Sequence, residues 1–366
     1  SGTGALSGTV TATAVNGVAT FTNLGKSGVI GLKTLTFTTN AIGVASDSQT
    51  FTLTHGFPHH IAVTSPASVN NGSVFATQPV ATIQDPDNNT VSTGSYSTLN
   101  ITLSASDSTI AGTLSMDAVA GVADFNGKGV KLTGLVGTKT LTATITNPAT
   151  ITGSTTLSLD PGTASQLAFK TQAAGFVNRA DFTTQPEIYI QDASGNTVTS
   201  STASVTVAID SGNLTGTRTV AAVNGVATFN GLGKNGTVGQ KTLDFTSTGL
   251  THVTQTFALT HGAVHHIVMT SVSTLVNDTA FGTQPVVTIQ DEDNNTVTTG
   301  SDSTQTVTLS STDATIGGTY SMSAVAGVAN FTGKGVKLTA LVGARNLTAT
   351  ISSPATKTVA NSVTIT

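Results

Sequence analysis

Short runs in which apolar residues alternate with Thr, Ser or Asn, broken every few positions by Gly, Asn or Asp, recur from end to end of this chain. Thr140-Leu141-Thr142-Ala143-Thr144-Ile145-Thr146 keeps the alternation for seven residues, the two-residue period of a strand with one buried face. Segments 34–37, 242–245 and 346–351 carry the same pattern. No segment sustains the 3.6-residue apolar period of a helix. The strands that follow Gln78-Pro79, Gln185-Pro186 and Gln284-Pro285 fix their own register. Ala81/Ile83, Ile188/Ile190 and Val287/Ile289 stay apolar and are expected to face a core. Val80/Thr82, Glu187/Tyr189 and Val286/Thr288 vary in polarity and are expected to face outward. A slip of one residue would bury Glu187, which is costly. Pro at the first strand position gives up no essential ladder bond.

These runs repeat. Ala14-Val15-Asn16-Gly17-Val18-Ala19-Thr20-Phe21 recurs at 222–229, and a sister version, Ala118-Val119-Ala120-Gly121-Val122-Ala123-Asp124-Phe125, recurs with one change at 324–331. The four terminal Phe residues, Phe21, Phe125, Phe229 and Phe331, are 104, 104 and 102 positions apart. A repeat of about 103 residues is the size of one Ig-type sandwich. Copies alternate in kind, since 127–133 and 333–339 share Gly-Lys-Gly-Val-Lys-Leu-Thr and the other two copies lack it. The expected architecture is all-β: tandem Ig-like antiparallel β-sandwich domains arranged as a rod. The expected boundaries are 1–58 for the C-terminal part of one domain, then 59–163, 164–264 and 265–366. The first copy is expected to lack its beginning, about 40 residues when Ser1 is aligned near Ile209. It is then either a window onto a longer protein or a half sandwich completed by strands of another chain.

The run Gln185-Pro186-Glu187-Ile188-Tyr189-Ile190-Gln191-Asp192-Ala193-Ser194-Gly195-Asn196-Thr197-Val198, followed by Gly216-Thr217 and Asn224-Gly225-Val226-Ala227-Thr228-Phe229, resembles the bacterial Ig-like repeats of the invasin/intimin type and of S-layer and large adhesin proteins. The resemblance covers essentially the whole chain. It implies a surface, extracellular setting and leaves the role open among stalk, lattice brick and non-catalytic module of an enzyme.

Composition narrows the function. Charged residues are 9% and aromatic residues 5%, with a net charge of −4. Without a basic stripe interleaved with aromatics, nucleic acid is not an expected partner. No apolar stretch reaches the length of a membrane-spanning helix. The absence of cysteine excludes disulfides and thiolate metal sites. Gly25-Lys26-Ser27 is reminiscent of a phosphate loop, but Thr20 stands where the earlier Gly belongs and the element recurs at 233–235 and 127–129, so it is read as a turn. No nucleophile elbow or triad is evident, and the chain is not expected to be an enzyme.

Two kinds of residue cluster remain. Asp85, Asp87 and Asn88, and their counterparts Asp291, Asp293 and Asn294, concentrate oxygen atoms in five-residue turns. Either they are plain turns, where Asp and Asn tolerate left-handed backbone and make Asx bonds, or they hold calcium. Six of the seven histidines fall in two Thr-His-Gly-x-x-His-His segments, as His55, His59 and His60 and as His261, His265 and His266. They align with the joint at 161–166. Three imidazoles there are a candidate zinc or copper site or a pH-sensitive hinge; otherwise they line an exposed linker.

The expectation for function is a structural cell-surface protein, of a surface layer, sheath, filament or adhesin stalk, that associates with copies of itself. The alternative is an adhesive module that recognises glycan or a host receptor. With no Trp and only three Tyr, the chain has little with which to stack a sugar.

Overall fold

Thr, Val and Ile are stiff at χ1 and suit the pleated surface of a sheet, and closely spaced Gly and Asn return the chain before a strand grows long. The computed structural model describes residues 4–272 and 274–366. They fall into two compact units, 1–164 with 192–198, and 165–191 with 199–366.

In the first unit, Ser115–Asp117, Asn100–Ala105, Gly137–Ile145, Ile151–Asp160 and Ser68–Asn70 form a five-stranded sheet in that order. Its last pairing is parallel and the others antiparallel. Val122–Asp124, Val80–Gln84 and His60–Thr64 form a three-stranded antiparallel sheet. Ile61, Ala81, Ile83 and Ala123 from the small sheet share one apolar core with Ile101, Leu103, Leu141, Ala143, Ile145, Leu157 and Leu159 from the large one. Two sheets around one core make an Ig-like sandwich. Ahead of it, Gly31–Phe37 pairs with Asp47–Leu53, and Leu6–Ser7 with Gly25–Lys26.

The second unit repeats the scheme twice. Gln166–Thr171, Glu187–Gln191 and Val226–Thr228 form one sheet, and Thr219–Ala221, Ser204–Ile209, Gly239–Thr246 and Val253–Leu259 another. Further along, His266–Met269, Val286–Gln290 and Val328–Asn330 accompany Ser321–Ser323, Thr306–Ser310, Gly343–Ile351 and Lys357–Ile365. A single core drawn from 264–365 fills the latter pair.

The register expected from the Gln-Pro strands holds. Ala81, Ile83, Ile188, Ile190, Val287 and Ile289 are all 0% exposed, and the intervening residues are half-buried. The four Phe motifs turn out to be hairpins. Asn16-Gly17, Ala120-Gly121, Asn224-Gly225 and Ala326-Gly327 all have positive φ, and each is bracketed by a Val–Val bridge, as in a two-residue type I′ turn. The turn returns the chain so that Phe125, Phe229 and Phe331 reach the core, each 0% exposed. Phe21 is half-buried and touches Phe37 with ring centroids 5.5 Å apart.

One local reading is corrected. Gly25–Lys26 and Gly233–Asn235 are short strands rather than turns, because a partner strand faces each: Lys26 pairs with Leu6, and Lys234 with Leu214. Gly127 and Gly129, both at positive φ, do form a turn.

Candidate functional site: an Asp–Asn latch

A five-residue turn follows each Gln-Pro strand, and the structure shows what its polar atoms do. In 85–89, Asp85 Oδ1 accepts the amides of Asp87 and Asn89, each at 2.9 Å. Asn88 adopts φ 63° at the crest. Gly195 (φ 84°) and Asn294 (φ 64°) occupy the same place in 192–196 and 291–295. The turn chemistry expected from the sequence is therefore present.

The second carboxylate oxygen and the Asn reach away from the turn. Asp85 Oδ2 accepts the amide of Gly56 at 2.9 Å. Asn89 Nδ2 donates to Gly28 O at 3.0 Å, and Asn89 Oδ1 accepts from Ile30 N at 3.1 Å. Asp87 takes the amide of Gly28 at 2.9 Å.

The arrangement recurs inside the first unit at Asp192, whose Oδ2 accepts from Gly162 N at 2.9 Å and from Asn71 Nδ2 at 2.8 Å. Asn196 clamps the loop at 134–136, donating to Gly134 O and accepting from Val136 N, each at 2.9 Å. It recurs inside the second unit at Asp291, which accepts from Gly262 N at 2.9 Å and Asn178 Nδ2 at 2.8 Å. There Asn295 donates to Gly236 O at 2.9 Å and accepts from Val238 N at 3.0 Å. Arg179 adds a two-pronged bond to Asp293 at 2.7 and 3.1 Å and an ion pair to Glu292 at 2.7 Å.

These carboxylates are charged and buried. Asp85, Asp192 and Asp291 are 3%, 1% and 1% exposed. Burial works against ionisation at Asp192, but the bonds from Asn196, the Gly162 amide and Asn71 outweigh it and hold the carboxyl at about 2. Asp291 and Asp85 are lowered by the same contest between burial and donated hydrogen bonds. At Asp293 the Arg179 guanidinium is the main cause, and that carboxyl also stands at about 2. Bonds between N–H groups and a carboxylate are roughly twice as strong as neutral ones.

The linker glycines are fixed by close approach. A Cβ on Gly162 would sit 2.4 Å from Asn71 O, and one on Gly262 2.8 Å from Asn178 O.

Of the residues singled out from sequence, Asp85, Asp87, Asp291 and Asp293 all accept N–H groups. Asn88 and Asn294 supply left-handed backbone. A cation at the buried oxygens must displace those donors. Chelation is expected to leave the melting temperature unchanged; a fall in it on chelation would show that calcium takes the turn.

The histidine triplets divide. His55 Nδ1 donates to Gly56 O at 2.9 Å, while its Nε2 accepts from Thr93 N at 3.2 Å. His261 does the same with Gly262 O and Thr299 N. His59 and His60 instead face each other, Nδ1 to Nδ1, at 3.4 Å, and His265 and His266 at 3.3 Å. Among the described residues no group of three or more His, Cys, Asp or Glu side chains is placed to hold a metal.

Sequence reasoning did not single out Asn71, Asn178, Asn89, Asn196 or Asn295. The Asp-x-x-x-Asn spacing was the available signal for the last three.

No protein-family model and no curated protein matches the chain. Among solved structures it is similar to the Escherichia coli adhesin FdeC, at 15% identity over 85% of this chain and 99% of that one, with a TM-score of 0.37. It is similar to invasin, a bacterial integrin-binding protein, at 14% identity over 83% of this chain and 60% of that one, TM-score 0.33. It is also similar to a β-glycosidase from Bacteroides vulgatus, at 11% identity over 55% of this chain, TM-score 0.24, and there it spans only 24% of the matched chain. An Ig-like sandwich by itself assigns no activity.

Proposed function

We propose that the chain is an extracellular, non-catalytic structural protein of a cell surface, a stretch of surface layer, sheath, filament or adhesin stalk. In this reading its domains run 1–58, 59–163, 164–264 and 265–366. The observation that carries the proposal is the latch: the same buried Asp and the same Asn seat each turn on preceding chain, three times over. A protein built as a succession of sandwiches needs such joints. Glycine at 162 and 262, where no side chain fits, serves the same end. Self-association through hydroxyl-rich outer faces completes the reading. Among the described residues no helix is long and apolar enough to cross a membrane.

Antibody to the chain should label intact cells of its source, with regular lateral spacing under the electron microscope. Label that appears only after permeabilisation would sink the proposal. Saturable binding of the isolated chain to glycan or host cells, without ordered spacing, would favour an adhesive module instead.

A further inference from the structure

Two histidine pairs stand apart from the latches. The strands His60–Thr64 and His266–Met269 each begin on the second imidazole of a pair. Neighbouring side chains within a strand point to opposite faces, but His59 and His265 lie one residue ahead, so each ring can turn onto the next. The rings meet edge to face, with centroids 5.6 Å apart at 82° in the first pair and 5.5 Å at 84° in the second. Their Nδ1 atoms are 3.4 and 3.3 Å apart. One glutamine pins both members of each pair. His59 N donates to Gln84 O at 2.8 Å, and His60 pairs with Gln84 in the ladder. His265 N donates to Gln290 O at 2.9 Å, and His266 pairs with Gln290. The joint at 161–166 has the same backbone, Ser165 N donating to Gln191 O at 2.8 Å beside the Gln166–Gln191 pair. It carries Ser and Gln where the others carry His, so the fold does not call for imidazole at this place.

The separation is that of two ligands on one metal. Zn–N bonds of about 2.0–2.1 Å at the tetrahedral angle set the nitrogens about 3.3–3.4 Å apart. A right-angled bite at the same bond length, as on square-planar copper, would draw them to about 2.8–3.0 Å. In the first pair the tautomer is set as well: His60 Nε2 donates to Gln84 Oε1 at 3.1 Å, which leaves the Nδ1 lone pair for the metal. His55 and His261 take no part, because their rings are committed to Gly56 O and Thr93 and to Gly262 O and Thr299. We infer that His59–His60 and His265–His266 each chelate one zinc ion through Nδ1, with solvent at the remaining positions. His59 and His265 are exposed, so the ion enters without moving the sandwich.

The test titrates the full chain with zinc and follows the histidine ring nitrogens by two-bond proton–nitrogen correlation. Two ions are expected to bind per chain, each more tightly than about 1 mM. Zinc should shift Nδ1 of His59, His60, His265 and His266 and leave the rings of His55 and His261 unmoved. His59→Ala should abolish one of the two sites, and His265→Ala the other. Both residues are exposed, so an unchanged melting temperature in each variant shows that folding is not the cause. Fewer than two sites by about 1 mM zinc overturns the inference, since the paired rings then only hydrogen-bond to each other. Saturation that survives both substitutions, or shifts confined to Nε2 atoms, overturns it equally.

Discussion

Replacing Asp192 by alanine lowers the stability of the first unit by roughly 3 kcal/mol or more, because several buried or half-buried donors then lose an acceptor at about 1–3 kcal/mol each. The donors are Asn71 Nδ2, the amides of Gly162, Ser194 and Asn196, and Asn196 Nδ2. Asp192→Asn keeps part of the acceptor set and loses the charge, so its cost is smaller. The same carboxylate sets a pH dependence. Its folded value of about 2 lies below the ordinary 3.8, so its contribution is fully present above the unfolded value and is lost as the pH falls from about 4 to about 2. That contribution is about 2 kcal/mol, and the alanine variant lacks this acid-dependent step. Urea unfolding at pH 7 and pH 2.5, with the transitions of the two units fitted separately, checks both statements. An alanine variant that unfolds like the parent at pH 7 would contradict the first.

Phe125→Ala is expected to destabilise the sandwich at 59–163 by about 3–5 kcal/mol, the usual cost of an aromatic ring removed from a filled core. Phe125 is 0% exposed and packs within the cluster that includes Ile83, Leu132 and Leu141. The hairpin that delivers it has both turn residues at positive φ, so the neighbouring backbone is poorly able to collapse into the void. Phe21 is the internal control. It is only half-buried, and Phe21→Ala should cost clearly less. Equal losses at the two positions would show that the ring's burial is not what the hairpin provides.

The strands were legible because a two-residue period is a local property. Leu141, Ala143 and Ile145 declare their face within five positions, and the Glu187 argument fixed a register without any partner strand in view. The latch was half legible. The turn at 85–89 could be recognised from Asp and Asn spacing, but its outward bonds join residues far apart in sequence: Asn71 is 121 positions from Asp192, and Asn178 is 113 from Asp291. No local pattern marks such an Asn among the many polar residues of the chain. The same limit explains the histidines. Sequence spacing brings His55 near His59 and His60, but Thr93, which claims His55, is 38 positions away. The short strand at 233–235 was missed because its pairing with 213–215 depends on tertiary packing, and Gly-Lys otherwise reads as a turn.

The Asp–Asn latches fix the linkers, and amide hydrogen exchange at Gly56, Gly162 and Gly262 measures how firmly. Each of these linker amides is donated at 2.9 Å to a buried carboxylate. Exchange is expected to be about a hundredfold or more slower than at exposed loop amides such as Gly43, with that protection lost at Gly162 in Asp192→Ala. Exchange of all three at the rate of Gly43 in the unaltered protein would show instead that the linkers are free.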